Sequence, residues 1–189
     1  LRDGLSSWRA TGAEIARPQF LLLLAEAYGE AGEIENGLTA LTEAYVLMDR
    51  NGDRWGEAEL SRLKGDLLLQ LDGGTRKTKG KKQNLGPKNI LALHQNVRAE
   101  IEIEAEACFL QALDVARRQQ AKSLELRATI SLGRLWQRQG KEKKAYQLLS
   151  EIYGRFQEGL DTPDLQITRS FLVALRDGTA SEKIPHQER

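Results

Sequence analysis

The sequence predicts an all-α fold of antiparallel helix pairs, and three observations carry that expectation. Strong helix formers (Leu, Ala, Glu, Lys, Gln) fill long stretches of the 189-residue chain, which holds only four prolines. No segment sustains the strict apolar–polar alternation of a half-buried strand. One pattern of small, aromatic and aliphatic residues also occurs twice: Leu24, Ala25, Tyr28, Gly32, Gly37, Leu41, Ala44, and again Leu132, Gly133, Trp136, Gly140, Ala145, Leu149, Ile152. The steps are 1, 3, 4, 5, 4 and 3 residues in both. Two unrelated amphipathic hairpins would not agree at every step.

In chain order, Gly4, Trp8 and Thr11 mark residues 4–16 as the second helix of a repeat that has no first helix before it. A full repeat follows over 18–50, with small residues such as Ala25 and Gly37 letting its helices approach and Gly32 ending the first. The next repeat, 54–118, opens on "EAELSRLKGDLLLQL", with Leu60, Leu63, Leu67 and Leu71 on one face and either Gly65 or Lys64 at the small position. Its second helix carries Ala105, Phe109, Ala112 and Leu113. Gly65 and Phe109 are 44 residues apart where the neighbouring repeats have 16, so an insertion, placed at 72–97, separates the two helices. Residues 122–157 form the last repeat, in which Ala145 and Gly133 are the small residues and Gly140 the stop. A closing helix, 163–176, starts after Thr162 as N-cap with Pro163 in the first position and stops before Gly178. Leu165, Thr168, Leu172 and Leu175 form its inward stripe and Arg169 and Arg176 face out; residues 177–189 are expected to be a flexible tail.

The doubled pattern resembles the tetratricopeptide repeat (TPR), with its small residue, an aromatic three further on, and later Ala, Leu or aromatic, and Ala. That resemblance implies a right-handed α-α superhelix, a TPR-like solenoid. The phrases "ARPQFLLLLAEAYGEAG", "RWGEAELSRLKGDLLL", "AEACFLQALDVARRQQAKSLELRATISLGRLWQRQGK" and "GLDTPDLQ" are similar to the C-terminal repeat region of bacterial multidomain proteins. In these an adenylate or guanylate cyclase, a kinase, or a LuxR-type DNA-binding domain is joined to an AAA-type ATPase module, as also in MalT-like regulators. The resemblance covers residues 4–176 apart from the insertion. It implies a non-catalytic protein–protein interaction and signal-transduction module of a larger protein; a chain that opens at Leu1 in mid-pattern fits such a piece. The alternative is a small-effector sensor of the LuxR or MalT kind.

First helices of such repeats line the concave side, so their outward polar residues are the candidates for partner contact. Counted from the small positions, these are Gln19, Glu26 and Glu30, then Arg62, Asp66 and Gln70, then Arg127, Arg134, Gln137 and Arg138. The cationic last set suits an acidic segment of a partner protein or of another domain of the same chain. Repeat proteins that grip a terminal carboxylate use Lys and Asn at first-helix positions occupied here by Leu22 and Glu26, which argues against that mode.

Composition narrows the rest. Apolar residues make up 40%, charged residues 29%, and the net charge is +1, so the chain as a whole advertises neither nucleic acid nor an anionic membrane. Its longest apolar run, Phe20 to Ala25, is far too short to span a bilayer. The cations concentrate in "GGTRKTKGKKQNLGPK", Gly73 to Lys88, which holds six basic residues and no acidic one. It lacks the spacing of a phosphate loop and the aromatics of a stacking platform. A solvated loop is therefore preferred over nucleic-acid contact there. Cys108 is the only cysteine, which excludes an internal disulfide and suits a cytoplasmic setting; on a repeat helix beside Phe109 it is expected as a small buried residue. Two histidines, His94 and His186, give no basis for a metal site, and the acid-rich run Ala99 to Ala107 divides between helical faces. No catalytic residue, cofactor or metal is expected.

Overall fold

The computed structural model describes residues 16–74 and 87–181, with side chains over 16–71 and 95–177. The expectations for 4–16, for most of the basic loop 73–88, for the side chain of His94 and for His186 lie outside the described residues. The described residues form seven α-helices and no strand: α1 (Arg17–Ala31), α2 (Ile34–Asn51), α3 (Glu57–Gly74), α4 (Pro87–Arg118), α5 (Lys122–Arg138), α6 (Glu142–Tyr153) and α7 (Pro163–Ser181). Two compact units, Leu1–Ala112 and Leu113–Arg189, divide the chain within α4.

In the first unit α1 begins with Pro18 in its first turn, where a missing N–H costs no helical bond. It ends at Gly32, whose φ of 75° lets the Glu33 N–H turn back to the Tyr28 carbonyl at 2.8 Å. The short turn reverses the chain, so α2 runs antiparallel to α1: Arg17, at the start of α1, pairs with Glu43 well along α2, while Gly37, early in α2, packs on the Ala25 carbonyl late in α1. Leu21, Leu22, Ala25, Ala40, Leu41 and Ala44 form the core between them, joined by Leu63 and Leu67 of α3. Helix α3 runs parallel to α1, meeting it at Leu22–Gly56, Glu26–Arg62 and Gly29–Leu67 in turn.

The ambiguity at the small position of α3 resolves to Gly65. A Cβ there would lie 2.5 Å from Cε1 of Phe109, a fully buried ring on α4. Lys64, one step round the helix, instead reaches Glu104 at 3.0 Å. Helices enter the expected insertion from both sides. Helix α3 continues to Gly74 and α4 starts at Pro87, so both ends of the span 72–97 belong to the flanking helices. Proline at the first helical position and the helix-tolerant "NILALHQNV" that follows give that extension its local basis.

The second unit repeats the arrangement. Helices α5 and α6 are antiparallel, with Gly133 against Leu149 and the Lys144 ammonium 3.9 Å from the centroid of the Trp136 ring. Gly140, at φ 70°, makes the reversal between them. Helix α7 lies parallel to α5, through Arg127–Asp164 and Gly133–Phe171. Leu165, Thr168 and Leu175 are buried and Leu172 half-buried, as the stripe predicts. Helix α7 passes the expected stop at Gly178 and reaches Ser181, inside the span 177–189 expected as tail. A helical glycine costs about 1 kcal/mol, which does not by itself end a helix anchored over its preceding turns.

Candidate functional site

Of the polar residues expected to project from the first helices, Glu26, Arg62 and Asp66 are occupied with one another, with Glu59 joining them. Glu59, Arg62 and Asp66 fall at i, i+3 and i+7, hence on one side of α3. The Arg62 guanidinium donates twice to Glu59, at 2.7 and 2.9 Å, once to Asp66 at 2.6 Å, and once across to Glu26 on α1 at 3.3 Å. Arg62 is thus buried rather than outward-facing. Burial by itself lowers its proton affinity, but the hydrogen bond and charge of Glu59, then Asp66 and Glu26, more than offset this and hold the pKa above its ordinary value. In α1, Gln19 is half-buried and donates to Asp53 at 3.3 Å. Glu30 and Gln70 are exposed.

In the second unit Arg127 donates to Asp164 at 2.8 Å, tying α5 to α7. Its neighbours remain at the surface. Arg134 and Gln137 line an open groove with Gln166, Ile167, Ser170 and Phe171 of α7, and Arg138 is exposed on the last turn of α5. The groove has an apolar floor from Ile167 and Phe171 and cationic and amide groups along one edge. A buried carboxylate that the sequence reading missed stabilises this unit: Glu125 accepts from Arg117 at 2.7 Å and from Arg155 at 3.3 Å. These cations lie 8 and 30 residues away in sequence, and helical spacing around Glu125 points to neither.

The first unit also contains an apolar cavity of about 480 Å³ among α2, α3, α4 and the α2–α3 turn. Its walls include Leu38, Leu41 and Met48 of α2, Leu60 and Leu68 of α3, and Cys108 of α4, with Tyr45 half-exposed. None of the outward polar positions singled out on the first helices lines it. The one sequence signal for it is that Leu38, Thr42 and Tyr45 give α2 a flank outside the seven-position pattern. Burial pushes the Cys108 thiol pKa up, and Glu104 adds to this against the nearby Lys64 ammonium. The hydrogen bond to Glu104 raises the pKa of Lys64, outweighing its own partial burial. Both groups accordingly keep their protons at neutral pH.

Among the described residues no group of His, Cys, Asp and Glu is placed to hold a metal ion, and no helix is long and apolar enough to cross a membrane. In comparison with known proteins, no family model matches the chain and no curated sequence is significantly similar to it.

Proposed function

We propose that the chain is a non-catalytic protein-interaction and regulatory module of tetratricopeptide type. In this reading its helix pairs stack in a right-handed α-α superhelix within a larger bacterial signalling protein that carries ATPase or cyclase-type domains. The observation that carries the reading is the recurrence of one three-helix arrangement in both units. In each, an antiparallel pair is followed by a helix parallel to its first member and clasped to it by an ion pair. The clasp is Glu26–Arg62, 36 residues apart, in one unit and Arg127–Asp164, 37 apart, in the other. Stacked pairs of this kind present first-helix side chains on a common surface.

The partner is an acidic protein segment, received by Arg134, Gln137 and Arg138 beside the apolar floor of the α5–α7 groove. Arg127, bound to Asp164, positions the helices. A fluorescein-labelled Glu-rich peptide is the probe, with binding followed by anisotropy. Arg134→Glu combined with Arg138→Glu should weaken binding at least tenfold and leave far-UV circular dichroism intact. Undiminished affinity would reject this surface. A small-effector sensor is the second reading, favoured by the apolar cavity of the first unit.

A further inference from the structure

We infer that the cavity among α2, α3 and α4 binds a neutral, largely apolar small molecule of drug-like size that carries one hydroxyl or carbonyl group. The inference rests on the sensor reading and gives it a site and a ligand class. Three observations lead to it.

The first is size. A volume of about 480 Å³ falls in the range of pockets that enclose small ligands, roughly 300–1,000 Å³. The second is charge. Both cations at the rim are already engaged by carboxylates of the protein. Arg54 lies 3.8 Å from both Asp49 and Glu57, Lys64 is 3.0 Å from Glu104, and Asp53 accepts from the Trp55 N–H at 2.9 Å and from Gln19. An anionic ligand would have to draw Arg54 or Lys64 from these partners, and any ion would leave water for apolar walls, whereas a neutral ligand does neither. The third is the polar inventory of the wall. The Thr42 hydroxyl is committed to the Leu38 carbonyl at 2.9 Å. Ser61 is buried, lines the cavity, and has no side-chain hydrogen bond among the described residues. A single hydroxyl that can both donate and accept suits one ligand hydroxyl or carbonyl. Met48 gives the wall an adaptable surface for the apolar body.

The chain supplies its own reporter, because Met48 is its only methionine. The whole chain, labelled with ¹³C-methyl methionine, is titrated at pH 7 with three probes of one ring system: naphthalene, 2-naphthol and 2-naphthoate. The Met48 methyl signal, assigned through Met48→Leu, should shift saturably with 2-naphthol. It should respond to 2-naphthoate at least tenfold more weakly. Ser61→Ala should weaken 2-naphthol about fivefold, the effect of one hydrogen bond, and leave naphthalene unchanged. Thr42→Trp, which adds an indole at an exposed lining position, should abolish the shift; Gln111→Trp, also exposed and lining, serves if the first variant does not fold. Equal or tighter binding of 2-naphthoate, or indifference of 2-naphthol to Ser61→Ala, overturns the ligand class and leaves the sensor reading standing. No saturable shift at Met48 with any of the three, or full binding in a folded indole variant, overturns the site and with it the sensor reading.

Discussion

Replacing Gly65 by alanine sets two effects of opposite sign against each other, and the structure decides which wins. In an exposed helix the change would stabilise by about 1 kcal/mol, because glycine is the poorer helix former. At Gly65 the added Cβ would meet Phe109 Cε1 at 2.5 Å and its Cδ1 and Cζ at 2.9 Å. Those distances are far inside the ~3.5 Å of ordinary carbon contact, and Phe109 is wholly buried with no free side to retreat to. Overpacking of this kind costs about 1–3 kcal/mol, and the 2.5 Å approach to a wholly buried ring puts Gly65 at the upper end, so the net expectation is a loss of up to about 2 kcal/mol. Urea unfolding followed at 222 nm measures it as a lower midpoint with an unchanged slope. The decisive comparison is a cycle with Phe109→Leu. Without the ring the methyl has room, so Gly65→Ala should become neutral or stabilising, with a coupling of at least about 1 kcal/mol. A raised midpoint for Gly65→Ala in the parent chain, or the same effect in both backgrounds, would show that the ring does not set the register of α3 against α4.

Other consequences are equally open to measurement. Gln120 holds a φ of 54° at the end of α4, where the Ala121 N–H returns to the Ala116 carbonyl; Gln120→Gly should stabilise by about 1 kcal/mol, read as a rise in Tm of about 2–4 °C. Arg62→Met leaves Glu26, Glu59 and Asp66 without their shared cation and should cost about 2 kcal/mol, below the figure for fully buried pairs because two of the carboxylates are substantially exposed. Arg62→Lys should recover only part of this, since an ammonium cannot reproduce the two-pronged bond to Glu59, and a lysine variant as stable as the parent would refute the geometric argument. Cys108 should react with iodoacetamide at pH 8 at least a hundredfold more slowly in the folded chain than in urea, with the folded-state rate rising only above the ordinary thiol value near 9.0. Because the unfolded thiol then loses its proton at lower pH than the folded one, stability should fall as pH climbs past 9, and Cys108→Ala should flatten that fall.

The helix pairs were legible because one seven-residue pattern encodes both the close approach of two helices and the reversal between them. Ala25 and Gly37 leave room, Leu41 fills it, and Gly32 ends the first helix. The inward stripe of α7 was legible for the same reason, since a spacing of three and four residues defines a face without reference to anything distant. What the sequence concealed depends on partners that spacing does not supply. Helical counting put Arg62 on an outer face. That it is buried follows from Glu59 beside it and Glu26 on another helix. The spacing of Gly65 and Phe109 counts the inserted residues but does not say which of them continue a helix, and α3 and α4 run into that span from each side. The cavity left even less trace, because an empty space is defined by the side chains that do not meet across it.

The Arg62 cluster also limits how α3 can slide along α1. Displaced by one turn in one direction, α3 would present Asp66 to Glu26, setting like charges together; displaced the other way, it would present Ala58, which offers no donor. The leucine-rich faces of the two helices would tolerate either slip far better than the charges do. One guanidinium therefore serves less as an adhesive than as an index mark, rejecting alternative alignments of otherwise interchangeable leucines.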